Sequence, residues 1–255
     1  MGSVIIFVVA ASCIFGGALL GMFIRSRLPN HHLKEESKDT IKVGAGMIAT
    51  LAALVLGILV GSAKSSFDGA NNAITQNSAK LVLVDRALSN FGPAAADVRT
   101  RLRANAQKQL VAVWPEEPTG VNADRVLELS TGIEDIQAML ATLKPENDEQ
   151  RRQLDTANRY LGEMALTRWL LVEQAQTDLP LTLFAVLVLW LSMLFTSFGL
   201  FAPTNRTVIC VLLLCSVSVA AALFIISEMN QPLDGSVKVS SGPLRKAIEH
   251  LNNHP

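Results

Sequence analysis

Val43–Ala63 reads VGAGMIATLAALVLGILVGSA, twenty-one residues without an Asp, Glu, Lys or Arg. At 1.5 Å per residue, such a run as a helix covers the ~30 Å of hydrocarbon in a bilayer. Three further runs, Val4–Ile24, Leu179–Ala202 and Val208–Ile226, are equally free of charge, and all are about 19 to 24 residues long. They pair two and two around a polar stretch of about 115 residues. The pattern predicts an all-α membrane protein with four transmembrane helices and a helical extramembrane bundle inserted between helices 2 and 3. The expected divisions are 1–63 for transmembrane helices 1 and 2, 64–178 for the insert, 179–227 for transmembrane helices 3 and 4, and 228–255 for a C-terminal tail.

Outward from Val43–Ala63, the chain stays free of proline from Pro29 to Pro93. The second helix is therefore expected to continue through Lys64 towards Asn90, with Ser37 or Asp39 as its cap. Beyond the apolar run it becomes small and polar at Ser65, Ser66, Asn71, Asn72, Thr75 and Asn77, then amphipathic at Leu81, Val84 and Leu88. Gly92-Pro93 breaks it. Helices are expected over Ala94–Val113 (Val98, Leu102, Ala106, Leu110 on one face) and Ala123–Leu143 (Val126, Leu129, Ile133, Ile136, Leu140). Another should run from Pro145 to about Thr177, with Leu154, Leu161, Ala165 and Trp169 on its apolar face. A last short helix should span Pro243–Leu251. No strand-like alternation occurs.

Small residues mark where the membrane helices can approach closely. Gly17 with Gly21, and Gly57 with Gly61, have the small-xxx-small spacing of helix packing. The first run lacks a basic leader and is long enough to span, so it is expected as a retained helix rather than a cleaved signal. Cys13, Cys210 and Cys215 all lie inside apolar runs and are expected as small packing residues.

The chain carries 22 basic and 22 acidic side chains, and no basic stripe interleaved with aromatics suggests nucleic-acid binding. His31-His32 has no ligand at metal spacing, and His250 with His254 lies in a terminal segment, so no metal site is expected. No phosphate-binding, nucleophile-elbow or zinc-protease motif occurs, and no acidic pair looks pinned in an apolar setting. The chain reads as not an enzyme, with no catalytic residue and no cofactor. Proton-coupled transporters usually place ionisable groups inside the membrane, and these runs have none. A passive pore or a non-transporting membrane scaffold remains.

Three segments carry a resemblance. They are LAALVLGILVGSAKSSFDGANN at Leu51–Asn72, the helix end at Trp114-Pro115, and the tail pattern Glu228…Pro232…Gly235…Ser240-Ser241-Gly242-Pro243-Leu244. Together they resemble the bestrophin-like membrane proteins of bacteria (the domain of unknown function 4239), distantly similar to bestrophin anion channels. Ser78-Ala79 stands where that family often has Glu-Ala. The resemblance implies a homo-oligomer, pentamer favoured, in the lipid bilayer, with helix 2 lining an axial pore for chloride or other small anions. Carried onto this chain, the pore-lining positions are Thr50, Leu54 and Ile58, followed by Ser62, Ser65 and Ser66. Leu54 and Ile58 would form an apolar ring that gates by dewetting. The alternative is a non-conducting membrane scaffold or sensor whose helical insert binds a protein partner.

Orientation divides the two lines of reading. The loop Arg25–Lys42 holds five basic residues, and counting them as cytoplasmic puts the insert outside. The resemblance implies a cytoplasmic insert in a multi-pass protein of the bacterial inner membrane, and that placement is adopted as the expectation.

Overall fold

The computed structural model describes residues 2–28, 35–114, 131–176, 181–233 and 237–253. Every regular element among them is helical: α1 (Gly2–Arg27), α2 (Glu35–Phe91), a single 3-10 turn (Pro93–Ala95), α3 (Ala96–Val113), α4 (Thr131–Thr142), α5 (Asp148–Gln176), α6 (Leu181–Phe201), α7 (Arg206–Met229) and α8 (Gly242–Asn253). Four of these, α1, α2, α6 and α7, are long and apolar enough to cross a membrane. The chain divides into two compact units. An apolar unit comprises Met1–Ser65 and Asp178–Asn230; a polar unit comprises Ser66–Thr177 and Gln231–Pro255.

In the apolar unit, α1 packs on α6 and α7. Ala10, Ile14 and Ala18 recur every four residues and are 0–1% exposed, so one stripe of α1 is fully covered. Contact here is backbone to backbone. A methyl group on Gly17 would sit 2.5 Å from the Ser192 carbonyl oxygen. One on Gly21 would collide with the Thr196 carbonyl, and one on Gly199 with the Ala18 carbonyl. The Ser192 and Thr196 hydroxyls donate back to the carbonyls of Val188 and Ser192, both at 2.7 Å, so they add no unsatisfied group to the seam. At one end Ser227 donates to the Ser3 hydroxyl at 3.3 Å, and Phe7 meets Phe224 edge-on with centroids 6.2 Å apart. Elsewhere in this unit Arg25 donates to the Ala202 carbonyl. Asn205 caps α7 by accepting from the Val208 amide at 3.0 Å.

The polar unit is held differently. Leu81, Val84 and Leu88 of α2 are 0–3% exposed and pack with Val98, Leu102 and Ala106 of α3, Ile133, Ile136 and Leu140 of α4, and Ala157 and Leu161 of α5. Helix α8 adds Leu244, Ala247, Ile248 and Leu251, spaced i, i+3, i+4, i+7 along its one apolar face. Its approach is fixed by Trp114, whose indole N–H donates to the Val239 carbonyl at 2.8 Å, while the Val239 amide donates to the Pro232 carbonyl at 3.0 Å. Gly92 ends α2 at φ 108°, a conformation that side-chain-bearing residues rarely adopt.

Several expectations are corrected by these elements. Helix α2 starts at Glu35, so Asp39 is not its cap but lies within it, paired with Lys42 at 3.1 Å. Helix α5 starts three residues after Pro145, because the Asn147 side chain accepts from the Gln150 amide at 2.8 Å and sets the first turn. Its buried stripe is Ala157, Leu161, Met164 and Arg168, at i, i+4, i+7, i+11; Trp169 is one step round the helix and 55% exposed. Within this protomer Cys13, Cys210 and Cys215 lie on exposed faces of α1 and α7, since the stripes that pack pass through Ile14, Leu212 and Ser216. Pro29, His31, His32, Pro115, Val126, Leu129, Pro180, Gly235 and His254 lie outside the described residues.

Candidate functional site

Helix α2 is a single helix of 57 residues, roughly 85 Å at 1.5 Å per residue. Its apolar segment is the least covered of the four: 11% of that segment is buried, against 28% in each of α1, α6 and α7. The covered stripe consists of Ala52, Leu59 and Ala63, spaced i, i+7, i+11 and 0–4% exposed. Thr50, Leu54 and Gly61 fall roughly 160–200° round the helix from Ala52, on the opposite face. Leu54 is 61% and Ile58 60% exposed. Gly46, Gly57 and Gly61 have open space where a side chain would be. This face therefore combines two bulky apolar residues with small and hydroxyl-bearing ones. The Thr50 hydroxyl is satisfied within the helix, donating to the Gly46 carbonyl at 2.9 Å.

The named positions do not share one face. Thr50, Leu54, Ile58 and Ser65 lie on the open side, Ser62 is exposed but turned towards the flank, and Ser66 is half-buried beside Ala63. At 100° per residue, an i, i+4 series drifts by about 40° each step, and two consecutive serines cannot both follow it. The two glycine pairs also separate. Gly17 and Gly21 meet α6 directly, while Gly57 and Gly61 meet nothing among the described residues.

A family profile for the bestrophin-like domain matches residues 12–244. The chain belongs to the bestrophin-like family. Solved bacterial structures share the fold of this bestrophin-like chain. A point variant of a bestrophin homologue from Klebsiella pneumoniae superposes with a TM-score of 0.68 at 13% identity, covering 96% of this chain and 99% of its own. A second structure of a Klebsiella pneumoniae bestrophin homologue gives 0.65 at 14%, covering 95% and 98%. A variant of a protein described only as a membrane protein gives 0.66 at 12%, covering 97% of both chains. No curated protein matches the sequence.

Of the bestrophin-like tail pattern, Glu228 is 5% exposed in the last turn of α7, Pro232 supplies the carbonyl that Val239 bonds, and Pro243 sits in the first turn of α8. Sequence reasoning missed one buried ionic cluster. Asp85 is 4% exposed on α2 and accepts two bonds from Arg99 of α3, Nε to Oδ1 and Nη2 to Oδ2, both at 3.0 Å. Arg103 approaches Oδ1 at 3.7 Å. The hydrogen bond to Asp85 raises the Arg99 guanidinium further above its already high pKa, against the opposing effect of burial. Asp85 directly follows Val84 in the buried stripe, the available signal that it points inward. No group of His, Cys, Asp and Glu suited to a metal occurs among the described residues.

Proposed function

We propose that this chain forms a homo-oligomeric, pentamer-favoured ion channel that passes chloride or other small anions through an axial pore lined by α2. The reading has α1, α2, α6 and α7 as the four spans, residues 64–178 as an insert on the cytoplasmic side, and 228–255 as its tail. It places the protein in the bacterial inner membrane. Its main support is the open face of α2. Three of the four apolar helices share about the same coverage, and the one left bare carries Thr50 and Ser65 beside Leu54 and Ile58. Thr50 and Ser65 place hydroxyls, and Gly57 and Gly61 leave room, on the same open side as Leu54 and Ile58. In a ring, Leu54 and Ile58 form the apolar constriction, while Ser65, on the same open side, offers a neutral hydrogen-bond donor below it. The reading assigns no catalytic step.

The test is anion flux from liposomes holding the purified protein. Flux is expected, and Leu54→Ala and Ile58→Ala are expected to raise it by widening the constriction. No flux, with both variants silent, rejects the channel. Single-particle images down the membrane normal provide the structural half: a dimer, or a ring with α2 off its axis, rejects the pore assignment.

A second reading, a scaffold or sensor whose insert binds a protein, is favoured by one observation. Leu166, Trp169 and Leu170 of α5 form an i, i+3, i+4 patch, and each is at least 55% exposed. It predicts that a silent, flux-free protein still retains a partner whose binding is lost on Trp169→Ala.

A further inference from the structure

The polar unit contains a cavity of about 90 Å³ between α2, α3, α4, α5 and the tail. Its polar lining comes chiefly from Asn77, Gln109 and Arg168, and the greater part of its wall is apolar, with Leu81, Met164 and Leu244 among the residues present. Arg168 is only 8% exposed and opens onto this space from α5. Asn77 contributes a buried side-chain oxygen with no hydrogen-bond partner among the described residues.

We infer that this cavity is a binding site for a small aliphatic carboxylate. A guanidinium presents N–H groups in a planar fork that fits the two oxygens of a carboxylate. Asn77 can turn its amide so that NH₂ faces a second oxygen. The apolar wall requires the remainder of the ligand to be hydrocarbon, which argues against a bare halide or a fully oxygenated anion such as phosphate. Size sets the chain length. A dry cavity of about 150 Å³ accepts the six carbons of benzene, so this one suits roughly three to five carbons.

The charge needed for recognition is present. Burial pushes the Arg168 guanidinium below its usual pKa and Glu134 of α4 pulls it back, and an arginine stays protonated under ordinary conditions. Glu134 also means that Arg168 has a neighbour of opposite charge without any ligand. The site is therefore expected to bind modestly, exchanging part of an existing attraction for direct hydrogen bonds. The inference concerns the polar unit alone and stands apart from ion conduction, so a failed flux assay does not decide it.

The experiment is isothermal titration calorimetry on the full-length protein in detergent, with acetate, propionate, butyrate, valerate and hexanoate, and with butyramide as a neutral match for butyrate. Saturable binding is expected to peak between propionate and valerate. Butyramide is expected to bind about tenfold or more weakly than butyrate, the loss of a charge-assisted hydrogen bond. R168Q is expected to lose a similar factor. Because Arg168 is buried and its variant can fail to fold, V113F provides a second arm. Val113 lines the cavity and is half-buried, so its ring fills the space and leaves Arg168 in place. Three results each overturn the proposal: no saturable binding by any acid, equal binding of butyrate and butyramide, or affinity that climbs steadily to hexanoate and is unchanged in V113F. The last would mark nonspecific partition into detergent.

Discussion

In the apolar unit, Gly17, Gly21 and Gly199 let backbones touch, and the hydroxyls present bond within their own helix. In the polar unit, closure comes from leucine and isoleucine side chains around a carboxylate gripped by Arg99. The difference follows from the solvent each composition suits. In hydrocarbon a leucine gains little by leaving lipid for protein, so helices associate by close approach at small residues. In water each buried leucine contributes about 1.5–3 kcal/mol, and a charged pair can be tolerated if its hydrogen bonds are complete. Within the apolar unit the same rule divides α1 from α2, since identical glycine spacing is used in one protomer by α1 and left open by α2.

The sharpest break is Asp85→Ala. It removes the buried carboxylate that accepts two bonds from Arg99, and about 3–5 kcal/mol of stability should be lost, read as a lower denaturation midpoint of the polar unit. If stability is unchanged, the cluster is not what distinguishes that unit. Next comes Gly21→Leu. Its side chain meets the Thr196 carbonyl and the Leu200 amide, and overpacking should cost about 1–3 kcal/mol, seen as lost monodisperse protein and a lower melting temperature in detergent. A smaller loss, about 1 kcal/mol, is expected from Trp114→Phe, which removes the donor to the Val239 carbonyl while keeping the ring in place. Smallest is Gly57→Ala, whose methyl faces open space and whose gain in helix propensity should raise protomer stability by about 0.5 kcal/mol. A change in oligomer size without any drop in melting temperature would show that α2 uses this surface between copies rather than within one.

Much of this was legible from composition. Charge-free runs of membrane length mark helices without ambiguity, because 20 apolar residues are too many for a soluble core element. The period of Leu81, Val84 and Leu88 exposed the polar unit's core for the same reason of geometry. What stayed hidden was any feature decided by one residue against its neighbour. Arg168 and Trp169 are adjacent, and hydrophobicity alone assigns the tryptophan inward, whereas the stripe through Leu161 and Met164 puts the arginine there. Asp85 follows Val84 in the stripe, but the carboxylate's partner is a cation on another helix, fourteen residues away, which periodicity does not reveal. The start of α2 was misplaced because Glu35–Lys42 is polar yet free of proline and glycine, so hydropathy ends before the helix does. The open face of α2 was approached through resemblance, not periodicity, because an apolar helix looks alike to lipid, to a neighbour and to a pore.

The polar unit is assembled from Ser66–Thr177 and Gln231–Pro255, with Asp178–Asn230 between them in the chain. During synthesis, therefore, Leu244, Ala247, Ile248 and Leu251 emerge only after α6 and α7 have been made. At ribosomal rates of about 5–20 residues per second the wait is roughly 4–15 s. For that interval α2, α3, α4 and α5 hold an apolar seam with its last helix missing, and Trp114 has no carbonyl to bond. Chaperone capture and proteolysis have their opportunity then.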